Sequence, residues 1–140
     1  MNPKSILIPI KGDQLDEKAI ALAGSLAKKG KAKIYAVYVI EVQRSLPVDA
    51  VVDAETETSE RVLSHAEDVA AALGYDIEVQ LLQAREAGTA IVEEAVEKKV
   101  DMIIMGVSYK THFGVFDLGE AVSHVLRDAP CPVILYREAP

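Results

Sequence analysis

The sequence predicts an α/β fold built on a parallel sheet. Short apolar runs of strand length alternate with stretches whose apolar residues recur at helical spacing. Several of those runs are continuously apolar, as expected of strands covered by helices on both faces. The 140 residues suit one domain, 1–140, around one core.

The elements follow in order. Ser5-Ile6-Leu7-Ile8-Pro9-Ile10 reads as a buried first strand that ends near Pro9, which has no N–H to donate. Leu15, Ala19, Leu22, Ala23 and Leu26 mark a helix closing at Lys28-Lys29-Gly30, where lysines suit the helix end and glycine the left-handed residue after it. Lys33 to Ile40 is a second strand. Glu41 to Asp53 has no period, contains Pro47 and reads as a loop. Val62, Leu63, Ala66, Val69, Ala70 and Leu73 form the next helical stripe, closed by Gly74. Ile77 to Leu81 alternates, which places this third strand near an edge. Ile91, Val92, Ala95 and Val96 mark a third helix, Met102-Ile103-Ile104-Met105 an apolar central strand, and Val122, Val125, Leu126 and Ala129 a fourth helix. Pro132 to Tyr136 is the last strand. The order βαβαβαβαβ implies parallel strands joined by right-handed crossovers.

Composition narrows the function. Half the chain is hydrophobic, only 5% is aromatic and Trp is absent, so the core is aliphatic. A formal charge of -7, with no Lys/Arg run longer than two, excludes generic nucleic-acid binding, which depends on counterion release. Cys131 is the single cysteine and forms no internal disulfide, which suits a reducing compartment. The apolar run after Met1-Asn2-Pro3-Lys4 is too short for a signal-peptide core or a membrane span. The expectation is a cytoplasmic protein with no membrane partner.

In parallel sheets, ligands bind beyond the strand carboxyl ends, where the strand order reverses. Two loops fall there: Lys11-Gly12-Asp13, and the long segment from Gly106 to Gly119. Glycines in such loops let backbone amides approach a phosphate, although the same residues also serve simply to turn the chain. Common catalytic and metal patterns are missing. The first loop carries neither G-x-G-x-x-G nor a P-loop. His65, His112, His124 and Cys131 lack paired metal-ligand spacing. Cys131, between Pro130 and Pro132, reads as a packed residue without a partner base. Strand three ends Leu81-Leu82-Gln83, without the Asp of a phospho-receiver. No catalytic residue and no metal site is therefore assigned.

Larger blocks carry a family resemblance. Ile6-Leu7-Ile8-Pro9-Ile10, Ala90 to Ala95, Asp101 to Gly106, and Leu118 to Val133 with its Ala129-Pro130-Cys131-Pro132-Val133 ending resemble the universal stress protein family over essentially the whole chain. The resemblance implies a three-layer, Rossmann-like fold of the adenine nucleotide alpha hydrolase type, with a five-stranded parallel sheet in the order 3-2-1-4-5. It also implies homodimers paired through the last strand, here Val133, Ile134, Leu135 and Tyr136. An apolar strand edge invites such pairing.

Members that bind ATP carry Gly-x-x-Gly, nine residues, then Gly-Ser/Thr. Gly106 and Gly119 match the first and third glycines, but Tyr109 stands at the second and Glu120 at the Ser/Thr. Tyr109 puts a Cβ and a ring where glycine leaves room, and Glu120 puts an anion where phosphate would sit. The family's Asp after the first strand is Lys11 here, free to meet a phosphate or to pair with Glu120. Lys110 adds a further cation, and Gly114 a flexible point at different spacing. The expected function is a dimeric stress-response module that acts through protein contacts without the usual ATP geometry. The alternative is an adenine-nucleotide switch lined by Lys11, Val39, Ile40, Gly106 and Gly119, with ATP or a related nucleotide as ligand. Hydrolysis would fall to Asp13, Asp117 or Glu120, each more simply a turn, cap or helix-start residue.

Overall fold

A computed structural model describes residues 2–27, 31–108, 111–112, 115–116 and 119–139, with the two short pieces described by their backbone. Five parallel strands form the main sheet: β1 (Ser5–Ile10), β2 (Lys33–Glu41), β3 (Ile77–Ala84), β4 (Met102–Gly106) and, last in the chain, β7 (Val133–Tyr136). Their order is β3-β2-β1-β4-β7, which is the order 3-2-1-4-5 when the main-sheet strands are counted along the chain. Helices α1 (Leu15–Ala27) and α2 (Asp53–Ala72) cover one face, and α3 (Ala87–Glu97) and α4 (Glu120–Asp128) cover the other.

Strand alternation divides the core between these layers. Ile6, Ile8, Ala36 and Ile104 pack towards α1 and α2, while Leu7, Val37, Ile103 and Met105 pack towards α3 and α4. Both clusters are aliphatic, as the scarcity of aromatics requires. β1 and β4 are buried nearly throughout, whereas β3, at the edge, is half-exposed.

The helices depart from the expected stripes in informative ways. α2 begins at Asp53, well before its first apolar stripe residue, because its first turns face solvent and carry Glu and Thr. Val96, Leu73 and Leu126, read as core-facing, are exposed. Leu73 ends up at the helix terminus, where its N–H bonds to Val69 and Ala70 while Gly74 adopts φ +85°. Ile20, outside the expected stripe, is buried.

The segment from Gly106 to Gly119 is not wholly irregular. It contains a small antiparallel pair, β5 (Thr111–His112) and β6 (Val115–Phe116). Tyr109, Lys110, Gly114 and Asp117 lie outside the described residues, as does the Lys28-Lys29-Gly30 helix end.

The connection between β2 and α2 is held by two side chains of β3 and its exit. The Arg85 guanidinium donates to the carbonyls of Gln43 (2.6 Å) and Leu46 (2.7 Å). The Gln83 amide donates to those of Val48 (3.0 Å) and Ala50 (2.8 Å). These bonds satisfy carbonyls that no ladder reaches.

Candidate functional site

The order reverses between β1 and its two neighbours, β2 and β4, so the β1 and β4 loops diverge to opposite faces and leave a crevice. A cavity of about 180 Å³ lies there. Its floor is Pro9, Val37, Val39 and Met105 at the strand ends, with Lys11 at its mouth. Ala87 and Ile91 of α3 and Ala121 of α4 cover it. A larger hollow, about 290 Å³, lies around Lys33, Tyr75 and Ile77 at the amino ends of β2 and β3, away from these loops.

Three carboxylates define the polar surroundings. Asp16, in the first turn of α1, is 8% exposed and accepts from the backbone N–H groups of Lys11 (2.9 Å) and Gly12 (2.7 Å). Burial pushes its carboxyl up, while those two bonds pull it back. The loop amides that face an anion in many parallel-sheet sites are thus taken by the chain's own carboxylate. Glu41, at the end of β2, accepts from the Ala87 N–H at 2.8 Å and so caps α3 across the chain. Glu120 opens α4, where an acid suits the positive helix end. Glu41 and Glu120 share a groove with Glu86, His124 and Arg127, and this groove meets the apolar cavity at Ala87 and Ala121.

Neighbouring cations already have partners. Lys11 Nζ donates to the Gly106 carbonyl at 3.4 Å, and no Lys11–Glu120 ion pair occurs among the described residues, contrary to one expectation. Arg127 bonds Asp128 at 3.0 Å and holds that carboxyl below its usual range. Arg44 approaches Glu86 at 3.9 Å. His124 lies 3.3 Å from Asp128 and 3.4 Å from the Arg127 guanidinium.

The other expected residues separate. Val39 lines the cavity, whereas Ile40, one residue on, turns to the α1–α2 face. Gly106 has a packing role: a Cβ there would lie 2.7 Å from Leu15 Cβ and 3.3 Å from the Leu15 carbonyl oxygen. Gly119 has open space around it but adopts φ +87°, a conformation that favours glycine before α4. Asp13 caps α1 through the Leu15 N–H at 3.0 Å and accepts from Ser108 at 3.4 Å. His65 pairs with Glu17 at 2.8 Å on the surface. Burial raises the Cys131 thiol, which suits a packed cysteine. No cluster of three or more metal-ligating side chains occurs among the described residues.

Sequence reasoning missed Asp16 and Glu41. An acid three residues after Asp13, beside a glycine loop, is a local signal for Asp16. Glu41 had none, because its partner lies 46 residues away.

The family model described as the universal stress protein family matches residues 2–137. The chain belongs to the universal stress protein family. A universal stress protein of Methanocaldococcus jannaschii is 30% identical over 141 residues, covering 96% of this chain and 82% of that one. One from Thermus aquaticus is 30% identical over 135 residues, covering 96% and 98%. Among solved structures, a universal stress protein from Archaeoglobus fulgidus superposes with a TM-score of 0.80 at 21% identity, covering 94% of this chain and 96% of that one. The universal stress protein from Archaeoglobus fulgidus in complex with dAMP superposes at 0.75 and 21% identity, covering 96% and 98%. A universal stress protein in complex with cAMP superposes at 0.71 and 21%, covering 99% and 100%. At these identities the structural likeness establishes the shared fold. Among the described residues, no helix is long and apolar enough to cross a membrane.

Proposed function

We propose that this universal stress protein is a homodimeric, cytoplasmic stress-response module that acts through protein contacts, without catalysis and without the usual ATP phosphate geometry. The observation that carries this reading is the set of resident carboxylates. Asp16 occupies the Lys11 and Gly12 amides, Glu41 occupies the first amide of α3, and Glu120 stands at the start of α4. A triphosphate entering this end would meet carboxylates where it needs donors.

The dimer reading rests on β7. Residues 132, 134 and 136 turn their backbone groups towards β4, through bonds such as Ile103 N–H to Pro132 O at 3.0 Å. Val133 and Leu135 therefore direct theirs along the open edge. The chain after Tyr136 brings Glu138 and Ala139 beside Asp13 and Gln14 instead of along that edge.

A second reading, an adenine-nucleotide switch, is favoured by the apolar cavity over Val37, Val39 and Met105. Two fold neighbours, solved in complex with dAMP and with cAMP, support it as well. Calorimetry of the dialysed protein with ATP, ADP and AMP, with and without Mg²⁺, separates the readings. The first expects no detectable heat with ATP. Micromolar ATP binding would replace it with the switch.

A further inference from the structure

We propose that the connection between β2 and α2 is a docking surface for a basic amphipathic segment of a partner protein. The inference rests on the reading that this chain acts through protein contacts. It adds where the contact is made and what chemistry the partner brings to it.

Exposed apolar surface comes first. Among the described residues, seven large apolar side chains are exposed, and four of them, Leu46, Val48, Val51 and Val52, fall within residues 46–52. Val51, at 72%, is the most open of the seven. Single exposed apolar residues are ordinary, whereas a group of them bordered by polar residues marks a contact surface. Val52 also stands at the N-cap of α2 and makes no side-chain cap, although Ser, Thr, Asp or Asn would supply one there. The segment is thus apolar where both a turn and a helix start favour polar residues.

The backbone beneath these side chains is held in place. Two turns follow one another, closed by Leu46 N–H to Gln43 O and Ala50 N–H to Pro47 O, each at 3.0 Å. Arg85 and Gln83 tie the same turns to β3 and its exit through the carbonyls of Leu46, Val48 and Ala50. A surface ordered before contact loses little freedom on binding.

Charge chooses the occupant. Asp49, Asp53 and Glu55 are exposed on and beside the segment, and no ion pair engages them among the described residues. The neighbouring arginines are directed elsewhere, Arg44 to Glu86 and Arg85 to backbone carbonyls. Apolar side chains interspersed with carboxylates complement a segment that sets Leu- or Val-type residues beside Lys or Arg. An anionic lipid surface would meet the same carboxylates, and a second copy applying this patch to its own would bring like charges together.

The test uses two synthetic peptides with amphipathic helical spacing, one of leucine and lysine and one of leucine and glutamate, with binding read by fluorescence anisotropy. The natural chain is compared with Val48→Ser/Val51→Ser and with Asp49→Asn/Glu55→Gln. All four positions are exposed, and thermal melts check that both variants stay folded. The leucine–lysine peptide should bind at least about tenfold tighter than the leucine–glutamate peptide. The serine substitutions should weaken it by about tenfold and the Asn/Gln pair by about threefold. Backbone NMR shifts on adding it should centre on residues 46–52. No binding, equal binding of the two peptides, affinity unmoved by the serine substitutions, or shifts centred elsewhere overturns the proposal. So does tighter binding to phosphatidylglycerol vesicles, which gives the surface to lipid, or a dimer lost on the serine substitutions, which gives it to a second copy. Such a failure is separate from failure of the protein-contact reading, which falls to micromolar ATP binding and not to peptide data.

Discussion

Lys99 and Glu94 each break a local rule, and each does so where the fold leaves little choice. Lys99 follows α3 with φ 53°, the left-handed conformation that closes the helix through Lys99 N–H to Val96 and Val100 N–H to Ala95. A side chain there costs about 1–2 kcal/mol, partly offset against glycine by the latter's greater unfolded freedom. Lys99→Gly should therefore stabilise the protein by about 0.5–1 kcal/mol, read as a higher urea midpoint at unchanged slope. A lower midpoint would count against a strained turn. Glu94 is 5% exposed and its Oε2 has no hydrogen-bond partner. Burial raises its carboxyl above the ordinary 4.5, and the nearby Lys98 only partly opposes this. The folded state then holds the proton more tightly than the unfolded chain does. The favourable protonated form is fully present below pH 4.5, and stability is lost as pH rises through the folded value. Glu94→Met should raise stability by about 1 kcal/mol at pH 7, with the gain shrinking below pH 4.5. Thermal melts across that range check it, and a gain independent of pH would exclude charge burial as the cause.

At the scale of elements, the approach of α1 to the end of β4 decides what Gly106 is for. The helix start brings Leu15, both Cβ and backbone, against the glycine Cα, and backbone cannot swing aside as a side-chain tip can. Gly106→Ala should cost about 1–3 kcal/mol in the ligand-free protein, read from its denaturation midpoint. Unchanged stability would return Gly106 to the reading in which its role is to admit a phosphate. The same logic explains the β2–α2 connection. Its order comes from Arg85 and Gln83, which reach its carbonyls from the neighbouring strand and its exit. The acidic starts of α3 and α4 belong together for a related reason. α3 and α4 pack closely enough that a Cβ on Gly88 would meet His124, so the Glu41 cap and Glu120 border one groove.

For the whole molecule, the open question is assembly. A charge at Ile134 would test it poorly, because Ile134 packs against the α1–α2 side of the core and its loss mixes unfolding with dissociation. Leu135 also packs against the core, on the α3–α4 side, but it offers a backbone probe that Ile134 does not. Its N–H faces the open edge, so Leu135→Pro removes an outward donor while leaving the bonds to β4 in place. We expect sedimentation to show a dimer for the natural chain and a monomer with an unaltered far-ultraviolet circular dichroism spectrum for the variant. A folded Leu135→Pro dimer would place the interface away from the β7 edge.

The local grammar of this chain was readable without coordinates. Continuous apolar runs such as Ile6 to Ile10 and Met102 to Met105 announce parallel strands because burial on both faces leaves no room for alternation. The edge position of β3 was legible from its alternation for the converse reason. The strand order came from the family resemblance, since periodicity says which face is buried but not which strand lies beside it. The start of α2 was hidden, because turns that face solvent carry no stripe. Leu126 and Val96 fit the helical spacing yet point outward, since the width of a buried stripe depends on what packs against it. The candidate site was half legible. Lys11, Gly119 and Glu120 stand in loops and helix starts whose chemistry is local. The Glu41 cap on Ala87, the Leu15 contact at Gly106 and the engagement of the loop amides by Asp16 are products of tertiary structure. Crossovers bring residues distant in sequence to the same end of one sheet, and hydrogen bonds there are allotted by distance in space.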